Sequence, residues 1–374
     1  MLKGIHLTLL IGPGSPNPMP GDVLNALTDV SVQIDSAGPS GFELKFTWFN
    51  GLDEKLGLGR GTLPGMLRVV IAVTMQATPQ VLMDGIVSRH SMSPGGARGT
   101  GPTLTLQGED LTRAMNYTQL DGVPFPGQSP ENRVSSILRK YSGLGIRAEV
   151  VAPVQLDLEL PTNNVGHQKG TDLQYINHLA KCCGHIFYIE PGPQLGQSKA
   201  YWGPEIRNGE PQPALTADMD SFRNVDTLDC SVQLDDRREQ VINVEVPGLP
   251  LAVNVPLPDV ASITNPLARF QLKPQGQRKV PDTSNLSPTK ALLKGLQQSQ
   301  QAQEQVSVSG SLDVMRYGQI LQARRLVGVR GVGPLFNGNY FVRSVSHAIR
   351  RGEYKQSFQL SRGGVGASSS RVNI

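Results

Sequence analysis

The chain has 374 residues, a formal net charge of +4 and three cysteines. That length allows two or more domains with buried cores, the small charge does not announce a nucleic-acid binder, and the cysteine count excludes a disulfide framework and suits a reducing compartment. With 41 glycines, 28 prolines and 5% aromatics, turn formers outweigh long helical patterns and indicate β structure with long loops.

The first eleven residues carry His6 and Thr8 within a short apolar run and meet Gly12-Pro13-Gly14 without a small-residue cleavage site. They read as a strand, not a signal peptide, and no run is long enough to cross a membrane, so assembly in the cytoplasm is expected. After a Pro-rich loop, strand patterning covers 23–34, 41–48, 69–75, 80–88 and 103–108. Phe42, Leu44, Phe46 and Trp48 share one face of the second of these. Short strands at steady spacing predict a first antiparallel β-barrel over 1–110.

Residues 111–215 carry two helix signatures and read as an inserted α/β domain. Ser129-Pro130-Glu131 opens the first helix, with Val134, Ile137, Leu138 and Tyr141 on one stripe. Thr171-Asp172-Leu173-Gln174 opens the second with a capping box, and Gly184 closes it before a strand over 185–190. From 216 to 246 the pattern returns to β. Pro247, Pro250, Pro256, Pro258, Pro266, Pro274 and Pro281 then mark a linker or arm, followed by a helix signal at Ser287-Pro288 and a glutamine tract. Strands resume at Ser311, with a candidate over 320–330 and a hairpin around Arg350-Arg351-Gly352-Glu353. Tyr354, Gln356, Phe358 and Leu360 share one face of its second arm. The predicted architecture is mainly β: two related antiparallel β-barrels, the second built from 216–246 plus 311–364, a helix-containing insertion between them, an arm over 247–310 and a flexible tail over 365–374.

Charge is uneven. From Ser311 onward ten cations face only Asp313 and Glu353, whereas acids dominate from Asp218 to Asp259. These are either two solvated surfaces or complementary rims that orient neighbouring subunits, with Arg324, Arg325, Arg350 and Arg351 set against Asp235 and Asp236. His178, Cys182, Cys183 and His185 match no usual zinc spacing, and Cys183 falls on its helix's apolar stripe, so the thiols read as small core or boundary residues. The glycine runs at 57–61 and 328–333 lack a following Lys-Ser pair or helix start and read as turns. No catalytic constellation, metal site or cofactor is predicted.

The stretch 322–362 carries Gly338, Tyr340 to Val342, Ser344 to His347 and Arg351 to Tyr354 in an order that resembles the C-terminal signature of phage late-control-D proteins, the baseplate hubs of contractile tails. The order of segments in 26–46, 82–90 and 103–111 resembles the family's first barrel, and 170–192 its helix-strand element. The resemblance implies a non-enzymatic structural hub: a homotrimer whose six barrels adapt a sixfold inner tube to a threefold spike. Baseplate wedge or sheath-associated proteins would surround it, with no membrane span and no specific nucleic acid. No spike-like module is legible after Arg362, so the spike is expected on a separate polypeptide. Two rivals remain, a polyanion-binding or nucleic-acid-binding β module using the basic C-terminal third and a tail-associated hydrolase.

Overall fold

The computed structural model describes residues 4–58, 66–95, 101–153, 166–218, 222–234, 239–245, 252–256, 267–270, 273–280, 295 and 304–368. The chain opens with β1 (Ile5–Pro13), bridged to β2 (Asn17–Pro18). Helix α1 (Gly21–Ala26) leads into β3 (Leu27–Asp35), β4 (Gly41–Thr47), helix α2 (Leu52–Lys55), β5 (Leu67–Met75), β6 (Thr78–Ser93) and β7 (Thr103–Asp110). These strands pair antiparallel in the spatial order β3-β4-β7-β6-β5-β1. The strand expected over 23–34 begins only at Leu27. Val23 and Ala26, three apart and both buried, put one face of a short helix on the core instead.

An α/β unit follows: β8 (Pro124–Phe125), α3 (Pro130–Arg139), β9 (Ile146–Val150), β10 (Gly166–His167), α4 (Asp172–Cys183), β11 (Ile186–Pro191) and β12 (Ser198–Gly203). Its capping box is present, with Thr171 and Gln174 each bonded to the other's backbone N–H. Ser129, by contrast, places its hydroxyl on Glu131 and makes no cap bond. Ile137 and Ile176 from the two helices close over Trp202, all fully buried, in a core separate from that of the main sheet.

The last part of the chain contains β13 (Gln212–Thr216), β14 (Thr227–Val232), β15 (Glu239–Glu245), β16 (Ala252–Pro256), β17 (Ala268–Phe270) and β18 (Gln277–Lys279). After them come β19 (Val306–Asp313), helix α5 (Val314–Tyr317), β20 (Leu326–Arg330), β21 (Gly338–Arg350), β22 (Glu353–Arg362) and β23 (Val365–Ala367). Three local expectations differ from this. Residues 320–325 form a loop, because the Gln356 side chain takes both the N–H and the carbonyl of Leu321 at 2.9 Å and removes them from any ladder. Strand β15 joins β16 and β18 in a small sheet of its own. Residues 365–367 are a strand paired with β17, not a loose tail. The helix expected after Ser287 falls outside the described residues, apart from helical Gly295.

An internal repeat organises the β structure. The sequence of elements β3, β4, α2, β5, β6, β7 recurs as β14, β19, α5, β20, β21, β22, with β15 to β18 inserted after β14, and the spatial order β3-β4-β7-β6-β5 recurs as β14-β19-β22-β21-β20. The long fourth strand of each unit has a one-residue irregularity against the fifth, between Val87 and Arg89 in β6 and between Val342 and Ser344 in β21. In each unit an aromatic ring also lies over a strand glycine. A side chain at Gly108 would overlap the Phe42 ring, and one at Gly310 the Phe358 ring. The two units share one sheet and one core, because β21 pairs with β3.

Candidate functional site: a polar sheet face with two open edges

The predicted interface residues separate in the structure. Arg324 is turned into the chain at φ +64°, its guanidinium 4.0 Å over the Tyr188 ring and bonded to the carbonyls of Asp35 and Ser36. It fastens the α/β unit to the sheet, and burial lowers its pKa. Arg325 is exposed. Arg350 is exposed and paired with Asp29 at 2.7 Å, and exposed Arg351 donates to the Asn25 carbonyl. Asp235 and Asp236 lie outside the described residues. Leu234, just before them, follows β14 at the opposite end of the sheet from the turn carrying Arg350 and Arg351. The structure thus does not bring the predicted cations together.

What it brings together is a polar face across eight strands, β14 to β6. Ladder partners run Thr227, Ser311, Ser357, Ser346, Gln33 in one row. In another they run Lys355, Ala348, Ser31, Glu43, Gln107, Arg89. Residues between them, such as Leu44, Leu106, Phe358 and Val345, point to the core. The outward residues are short, hydroxylic or charge-balanced. Glu43 takes Lys45 at 2.7 Å and Gln107 at 2.7 Å, which holds its carboxyl below the usual range.

This face ends in two open edges. Among the described residues, strand β14 pairs only with β19. In β6, the residues from Thr78 to Asp84 pair with β5, Gly85 and Ile86 pair with both β5 and β7, and those from Val87 to Ser93 pair with β7 alone among the described residues. An unpaired edge presents a row of backbone donors and acceptors ready to take another strand. On the core side of these edges, Leu228, Cys230 and Val232 are half-buried, His90 is exposed, and Met92 is 49% exposed.

Buried polar groups elsewhere brace the sheet. Arg68 holds Asp84 through two bonds of 2.7 Å and reaches the Gly196 carbonyl at 3.1 Å, and Ser198 donates to Asp84 at 3.1 Å. Arg343 and Arg207 pair with Glu205 and Glu304 in a half-buried ring of four charges. Sequence reading missed both clusters. Their members lie up to 138 residues apart, and nothing in a local pattern announces the pairing. Among the described residues, no three His, Cys, Asp or Glu side chains gather where a metal could sit. Cys182 and His178, predicted as non-ligands, approach at 3.7 Å on one helix turn, and His185 packs edge-on to Trp202.

No protein-family model matches the chain, and no curated protein matches it in sequence. Solved structures do. A tail protein from Neisseria meningitidis matches at TM-score 0.62 and 16% identity, over 97% of this chain and 98% of that one. The 43 kDa tail protein of prophage MuSo2 from Shewanella oneidensis matches at 0.60 and 13%, over 96% and 98%. A Francisella PdpA–VgrG complex matches at 0.57 and 7%, over the whole of this chain and 60% of the other. The chain therefore has the mainly β fold of these tail proteins.

Proposed function

We propose that the protein is a structural hub of a contractile tail or tail-like injection machine, in which three copies close head to tail into a ring. The observation that carries this reading is the repeat with one joint made and its counterpart open. Within the chain, the second unit's β21 receives the first unit's β3. Among the described residues the first unit's β6 has no such partner, and the outer edge of the second unit's β14, equivalent to β3, is free. Eight antiparallel strands separate the two open edges, so β6 and β14 run in opposite directions and a copy placed head to tail joins antiparallel. Such a heterologous contact closes into a ring when its rotation permits.

Three chains with two units each present six similar faces to a sixfold tube and threefold symmetry to a spike. The polar sheet face, short of apolar side chains, suits the wall of a water-filled bore. The exposed cations Arg325, Arg350 and Arg351 remain candidates for orienting neighbours, with Arg325 nearer the end of the sheet where β14 finishes. The role is binding and templating without turnover. Affinity capture of the tagged chain from its native source, read by mass spectrometry, tests this. The account predicts recovery of tube and spike subunits, and capture of nucleic acid without tail proteins would move the reading to the polyanion-binding module.

A further inference from the structure

We infer that the joint between copies repeats, residue for residue, the β21–β3 joint inside the chain, so that Ser91 of one copy stands opposite Ser231 of the next. The inference rests on the ring reading and adds its register. The two units align on their irregular strands: Val87 and Arg89 in β6 take the places of Val342 and Ser344 in β21. Following the ladders outward from that point, Val342 leads through Leu360 and Val308 to Cys230. Val87 leads through Gly108 and Phe42 to Val32. Cys230 therefore occupies the place of Val32, and Ser231 the place of Gln33.

Inside the chain Ser346 pairs with Gln33 and His347 with Val32. The equivalent pairs between copies are Ser91 with Ser231 and Met92 with Cys230. Side-chain direction agrees with this register. Met92 stands opposite Leu104 and His90 opposite Leu106, so both point to the core side, yet both are exposed. In β14, Leu228, Cys230 and Val232 point to that same side and are half-buried. The joint would set these two incomplete apolar rows against each other, as Val345 and Ile349 meet Ile34 and Val30 within the chain. Ser91 and Ser231 would extend the hydroxyl row of the polar face across the boundary.

Gln233 donates to the Gln305 carbonyl at 2.9 Å, so by alternation Ser231 also bonds toward β19. Across the open edge Ser231 then sits in a non-hydrogen-bonded pair, with Cα atoms about 4.5 Å apart, within reach of a disulfide. The test is the full chain carrying Ser91→Cys and Ser231→Cys, oxidised and mapped by peptide mass spectrometry, with Ser91→Cys/Asp229→Cys as the off-register control. Native mass of each is read beforehand. The expected result is a disulfide-linked peptide pair that joins position 91 of one chain to position 231 of another in the three-chain species, at least tenfold over the control. A three-chain species without that link, or with the control link dominant, overturns the register and leaves the ring reading standing. A chain that stays single and links in neither variant overturns both.

Discussion

His347 stands in the second unit where its neighbours fix its protonation. The Gln356 amide is oriented by the Leu321 backbone, so its nitrogen faces the His347 Nδ1 at 3.4 Å as a donor, and the Tyr354 hydroxyl lies 2.8 Å from the same Nδ1. Nδ1 accepts, and the ring is the neutral Nε2–H tautomer, with Nε2 buried and without a hydrogen-bond partner among the described residues. Burial drives the pKa down to about 3. Between an unfolded value of about 6.5 and that folded value, the unfolded chain takes up a proton that the folded chain refuses, so acidification through this window removes stability. His347→Leu should cost about 1–3 kcal/mol near pH 7 by leaving the Tyr354 hydroxyl unpaired. Denaturant titrations should then show the gap between parent and variant narrowing from pH 6.5 towards 3. His185, lowered to about 4 by burial, titrates in both chains and cancels. A gap that stays constant with pH would contradict the assignment.

Among the elements, β5 and β6 are tied to the α/β unit by the Arg68–Asp84 pair, whose side chains are 7% and 1% exposed. Removing one partner strands a buried charge, so Arg68→Met should destabilise by about 3–5 kcal/mol, and Asp84→Leu in the same chain should recover much of that loss. Urea unfolding of the two single variants and the double variant measures this. Additive losses would mean that the pair is not coupled. At this scale the sequence was readable where one segment decides its own state. The alternation of Tyr354 to Leu360 and the Thr171–Gln174 capping box both appear as expected, because side-chain period and cap chemistry are local. Helix α1 was not readable, since two buried positions in six residues make no stripe. The separate sheet of β15, β16 and β18 was not either, because the valine-bearing run 239–245 suits whichever strand it meets.

Across the whole molecule, the repeat was legible as two β-rich halves, but the seam between them was not. Nothing in the residues of β3 says that its partner lies more than 300 positions away in β21. Among the described residues that seam leaves one edge filled and its equivalent empty, an asymmetry that the proposed self-association would resolve. The predicted cations illustrate the same limit: charge runs along the sequence scatter to two ends of the sheet, and Arg324 is spent inside the chain against Tyr188. Native mass spectrometry of the purified 374-residue chain across a concentration series tests the proposed ring most directly. The proposed ring predicts that the 40.3 kDa chain gives way to a species of three copies without a stable dimer, because only closure pairs both open edges of the polar face in every copy. A chain that remains single throughout, or that stops at two copies, would contradict it.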